Sequence, residues 1–271
     1  MKTMKIFSRW MALIALLSAC LPLHAADVAH GQWNQLLQDH VRMGPQGQQS
    51  RVDYAAIRKN EAALDEYLAR LAKVSQSSFD GWSDDSQLAF LINAYNAWTV
   101  KLVLSRYPKL DSIKDIGFLW SSPWKKSFIP LLGEPRSLDD IEHKLIRGTA
   151  RYGEPRIHFA VNCASIGCPA LLNRAYKAET LESQLDAISR GFLSDRRRNG
   201  IKKGVLRVSP IFKWYVQDFS KGWQGATSLR AYLAIYAKAL GLSDAEKAQL
   251  ISGKLAIEYS DYDWALNDVG K

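Results

Sequence analysis

The 271-residue chain has little cysteine: Cys20, Cys163 and Cys168 are the whole set. Three cysteines exclude a disulfide-dense framework, and no Cys-x-x-Cys pair marks a dithiol redox motif. There is no glycine-rich phosphate loop, no Gly-x-Ser-x-Gly elbow and no His-Glu-x-x-His helix. These absences remove P-loop nucleotide binding, serine-elbow hydrolysis and zincin chemistry. His143, His158, Cys163 and Cys168 match no common zinc spacing. Neither a metal nor a cofactor is therefore expected. No Pro/Gly/Ser-rich linker, internal repeat or low-complexity tract divides the chain, so one domain is expected over residues 26–271.

The N-terminus reads as targeting rather than structure. Lys2, Lys5 and Arg9 form a basic region, residues 10–21 an apolar one, and small residues follow Pro22. This is the pattern of a signal peptide over residues 1–25, cleaved near Ala25. A second reading is a lipobox over residues 17–20, with Cys20 carrying a lipid anchor. Either reading sends the protein to the periplasm or beyond. No second long apolar run exists, so no membrane span is expected in the body. The formal net charge is +9, three cations of which lie in that N-terminal stretch, leaving about +6. That excess is weak grounds for nucleic acid, and the compartment argues against it.

Periodicity gives an outline. Helices are expected over 28–43, over a charged segment containing Leu64, Tyr67, Leu68 and Leu71, and over 180–193 and 228–240. Residues 83–86, SDDS, are a dense N-cap signal. The run 88–104 behind them is apolar nearly all round, the mark of a helix buried within a domain. Ser137 caps a short helix that carries Glu142 and His143. Strands are expected at 128–132, 157–161, 205–208 and 255–259, and a polar turn region at 195–204. The fold class is α+β: a buried central helix packed on a small, mainly antiparallel sheet.

Chemistry concentrates in residues 156–169, RIHFAVNCASIGCP. A thiol on a tight loop leaving a buried segment is held rigidly yet meets solvent. Cysteine catalysis needs a thiolate, a histidine to generate it and a group to orient that histidine. Cys163 and His143 supply the first two, and Glu142, Asp139, Asp140 or Asp218 the third. On an ideal strand His158 faces away from Cys163, so it reads as the poorer partner or as a satisfied core histidine. Cys168 either bonds Cys163, resolves its oxidised form, or is simply buried. Asn93 and Asn96, one helical turn apart, either brace neighbouring loops or, with His158, position a substrate. Arg196, Arg197 and Arg198 read as a solvated loop, or as a patch for an acidic envelope surface. Trp214, Tyr215, Phe219 and Trp223 read as core.

Five segments in order, 90–97, 137–143, 158–169, 211–219 and 262–267, resemble the family called domain of unknown function 547. The likeness runs from about Val52 to Asn267. It implies a thiol-enzyme-like domain related to the papain and transglutaminase-like folds. The resemblance also implies Glu142, His143 and Cys163 as the functional set, with Cys168 a less constant companion. Those folds place the cysteine before the histidine, so here the relation is a rearranged one.

Two functions follow. The first is a periplasmic cysteine-dependent hydrolase or acyl transferase acting on an amide or peptide bond, with a peptide or a small amide or thiol as substrate. The second is a non-catalytic binding or scaffold protein in which a Cys163–Cys168 disulfide pins a loop.

Overall fold

A computed structural model describes residues 30–117, 122–149 and 151–271. The expected signal peptide and Cys20 lie outside the described residues. The fold is α+β and is organised on the helix Asp84–Leu104. Ser83 caps it, accepting a hydrogen bond from the Ser86 amide, with Asp84 and Asp85 in the first turn and Lys101 in the last. These charges complement the helix dipole. Every residue from Gln87 to Val100 is buried, so no solvent face remains. Glu61–Ala72, Tyr54–Lys59 and the segment Asp140–Ile146 pack around it.

The expected single sheet is three small ones. Val41–Met43 pairs antiparallel with Ser50–Val52, and Ile129–Leu131 with Glu134–Arg136. Gly200–Lys202, Val205–Val208 and Ile257–Tyr259 make a third sheet, whose last pairing is parallel. The central helix packs on helices because each sheet is too short to offer it a face. Among the described residues no helix is long and apolar enough to cross a membrane.

Several boundaries differ from the sequence outline. The first helix ends at His40, where Val41 turns extended and pairs with Val52. Tyr236 interrupts the expected helix over 228–240, leaving Leu229–Ile235 and Ala237–Leu240. The polar turn over 195–204 contains the strand Gly200–Lys202.

The expected strand at 157–161 is a helical turn, Ile157–Ala160, with only Val161 extended. Its register is set by the Phe159 amide on Arg156 O and the Val161 amide on Ile157 O. Ile157, His158, Phe159 and Ala160 are all buried, so alternation carries no information about this run.

The central helix holds its neighbours through two amides. Asn93 donates to Tyr176 O and accepts from the Tyr176 amide. Asn96 donates to Ala160 O at 2.9 Å and accepts from the Asn162 amide at 2.8 Å. Both are committed to backbone, not turned to a substrate. Asn96→Ala takes a partner from each of two buried backbone groups, at about 1–3 kcal/mol per group. Urea denaturation is expected to show that loss as a lower midpoint with an unchanged slope.

Candidate thiol site

The loop carrying Cys163 is held by hydrogen bonds of its own as well as by its neighbours. Asn162 Oδ1 accepts from the Ala164 amide, and Asn162 Nδ2 donates to Pro169 O. Ala164 takes φ 59°, a left-handed conformation that costs a non-glycine residue and has to be held by its surroundings. The C-terminal segment holds it. Ile166 donates to Ala265 O, Gly167 to Asp263 O, and Asn267 to Ala164 O. A Cβ at Gly167 would meet Asp263 O at 2.9 Å, which is why only glycine fits there. From the other side Arg198 donates to Cys168 O at 2.6 Å and to Gly167 O at 3.2 Å, anchored by Asp195. Arg198 is therefore a brace on the thiol loop, not part of a solvated turn.

This frame surrounds the Cys163 sulfur with polar atoms. Cys168 Sγ and Tyr262 Oη lie 3.0 Å away and Ser165 Oγ 3.1 Å. The Cys163 amide also lies 3.0 Å from Cys168 Sγ. Both cysteines are free thiols, with their sulfurs in contact. The Cys168 thiol, with Ser165 and Tyr262 adding, brings Cys163 down to about 7 against the effect of burial. Burial first, then the neighbouring Cys163, pushes the Cys168 thiol up. One sulfur is thus poised as a thiolate and the other as its hydrogen-bond donor.

Cys163 faces a cavity of about 180 Å³. Glu142, His143, His158 and Asp139 line it together with Cys168 and six aromatic side chains, Tyr95, Trp124, Trp214, Tyr215, Tyr262 and Trp264. Glu142 and His143 are consecutive yet both reach the cavity. Their segment Asp140–Ile146 is wound in π register, shown by the Arg147 amide on Glu142 O. A wider turn reduces the angle between neighbours. Ser137 and Asp140 cap it reciprocally.

The two histidines are held in opposite tautomers. His158 Nε2 lies 2.8 Å from Asp218 Oδ2, and its ring stacks on Tyr215 at 3.8 Å between centroids. Burial alone would raise the Asp218 carboxyl, but His158, Arg147 and Lys221 hold it well below the usual carboxylate range. A carboxylate only accepts, so Nε2 carries the proton and Nδ1 is bare. Nδ1 is buried without a hydrogen-bond partner, and burial lowers the pKa of the ring despite Asp218. For His143 the order is reversed. Its Nδ1 lies 2.6 Å from Arg147 Nη1, a group that only donates, so the proton sits on Nε2. Glu142 Oε1 is buried without a hydrogen-bond partner, 3.9 Å from His158 Nδ1.

The structure thus brings Cys163, Cys168, Glu142, His143 and His158 to one cavity and leaves Asn93 and Asn96 off its lining. His158 shares the cavity with Cys163, contrary to the strand-based reading, because the segment is a helical turn. Tyr262 and Ser165 are not singled out by the sequence, and Arg198 reads there only as part of a basic loop or patch. For Tyr262 the available signal was its place in the aromatic segment 262–267. Of the aromatics read as core, Phe219 is buried, whereas Trp214 is 48% exposed at the rim and Tyr215 forms a wall. Among the described residues no cluster of three or more His, Cys, Asp or Glu is arranged to hold a metal ion.

Because the thiolate is the reactive form, iodoacetamide should alkylate Cys163 with a half-maximal rate near pH 7. Tyr262→Phe and Ser165→Ala each remove a donor and should move that midpoint upward, towards the ordinary thiol value of about 8.5. Peptide mapping of the alkylated site across pH checks both.

Comparison with curated proteins gave no match, and comparison with solved structures gave none either. Residues 79–193 match the family described as Protein of unknown function, DUF547. That span holds the central helix, the Glu142–His143 pair, His158 and both thiols, and this part of the chain is assigned to the DUF547 family.

Proposed function

We propose that the protein is a thiol-dependent hydrolase or acyl transferase acting on an amide or peptide bond outside the cytoplasm. One observation carries the reading. A sulfur brought down to about 7, with three polar atoms within 3.1 Å, shares a cavity with a buried histidine nitrogen that has no hydrogen-bond partner. The N-terminal stretch over residues 1–25 supports the compartment.

Cys163 attacks the carbonyl carbon, and its proton passes to His158 Nδ1. The carbonyl π electrons move onto oxygen, where the hydroxyls of Ser165 and Tyr262 are placed to donate. Collapse breaks the C–N bond, and the amine leaves with the proton held by His158. The resulting thioester is opened by water, or by an amine in acyl transfer, and the thiol is restored. Asp218 is a positioning residue: it fixes the tautomer of His158 and favours the imidazolium as it forms. Glu142 faces the same nitrogen and adds to that stabilisation. His143, protonated on Nε2, is suited to donate rather than to accept.

The sulfur contact of 3.0 Å also favours a second reading, in which Cys163 and Cys168 close a disulfide and the protein is a binding scaffold. Mass spectrometry of non-reduced protein separates the two: a quantitative bridge resistant to reduction supports the scaffold, a free reactive thiol the enzyme. On fluorogenic peptide amides, Cys163→Ala is expected to abolish turnover with the fold intact. Asp218→Asn is expected to lower kcat/KM by about 10²–10⁴-fold. Full turnover by Cys163→Ala would end the proposal.

A further inference from the structure

The cavity has a charge character that attack by a thiol does not require. Among the described residues no lysine or arginine lines it. Asp139 and Glu142 are the carboxyl side chains of the lining, beside the Cys163 sulfur. The Glu142 side chain is 8% exposed, and its Oε1 has no hydrogen-bond partner. That oxygen lies 3.8 Å from His143 Nδ1 and 3.9 Å from His158 Nδ1, while the Tyr215 hydroxyl hydrogen-bonds the carboxyl group. In the tautomers fixed by Arg147 and Asp218 neither nitrogen carries a proton to donate to it. A buried carboxyl oxygen is therefore left without a donor, an arrangement that is costly until a donor or a cation arrives. Arg147 does not fill that need, being spent on Asp218 and His143. Lys125 acts on Asp139 from outside the lining.

The rest of the wall suits the same occupant. Trp214 and Trp264 stack at 6.0 Å, Tyr262 and Trp264 lie 4.5 Å apart, and Trp124 meets Trp264 edge-on. Aromatic faces attract cations, most strongly where water is excluded. Trp264 already holds one on the described surface, with Lys114 Nζ 4.6 Å from its ring centroid.

We propose that this cavity selects a cationic substrate group bearing N–H donors, an ammonium or guanidinium, which binds Glu142 Oε1 between the aromatic walls beside the acyl carbon that Cys163 attacks. The proposal rests on the thiol reading above and adds the class of substrate.

Thiol labelling of the full chain tests it without a known substrate. Cys163 is alkylated at pH 7 and low salt by 2-bromoethylamine, iodoacetamide and iodoacetate, each rate being normalised to free cysteine. The ratio of two reagents on one protein at one pH cancels its thiolate fraction. The net charge of +9 favours the anion at long range, so a preference for the cation has to come from the lining. The expected cation-to-anion ratio is at least tenfold, falling toward unity in Glu142→Gln. Protection of wild-type Cys163 from iodoacetamide by propylammonium, but not by propionate or propanol, is expected as well and does not depend on how the variant folds. Labelling by iodoacetamide with no cation preference and no protection would overturn the cation site alone. Failure of Cys163 to react with any reagent would overturn the thiol reading and this proposal together.

Discussion

The pair of hydrogen bonds from Asn96 is the constraint on which the site depends. One amide, buried in the central helix Asp84–Leu104, holds Ala160 O and the Asn162 amide. Those atoms bracket the point where the His158 turn becomes the Cys163 loop. Fixing both to one rigid helix sets the histidine and the thiol relative to each other. An unpaired amide at such a position would be expensive, so the bonds are specific as well as stabilising. Asn93, one turn earlier, does the same for Tyr176.

The electrostatics of the cavity follow from commitments made outside it. Asp218 fixes the proton of His158, and Arg147, held by the same carboxylate, fixes the proton of His143. Two rings of the same residue type are thereby held in opposite tautomers. The thiols are differentiated in a similar way. Cys163 is brought down by Cys168 and the hydroxyls, while burial pushes Cys168 up. Each assignment comes from what a neighbour is able to donate or accept, not from the residue type itself.

The C-terminal segment contributes Tyr262 to the sulfur and Trp264 to the wall, although it lies about a hundred positions from Cys163. Its backbone runs along 164–167, and the close approach at Gly167 locks that register. This side of the site was hard to find in the sequence because no local pattern links 262–264 to 163. The role of Arg198 was hidden for the same reason. Its guanidinium leaves a polar stretch and turns inward to carbonyls that only the folded loop presents.

The sequence by itself determined the central helix, through the SDDS cap and the continuous apolar run behind it. It also determined the strand Val205–Val208 and the Ser137 cap, and it singled out Cys163 as a candidate for chemistry. These are local matters, settled by capping, period and residue type. Whether residues 157–161 formed strand or helix was not local, because a run buried on every side has no polar face to reveal its period. That choice moved His158 from the far side of the thiol to its own cavity. Tertiary structure alone decided the partner of each imidazole, the polar atoms around the sulfur and the aromatic wall. All of these depend on which distant side chains packing brings within about 3 Å, and hydrogen bonds act only over that range.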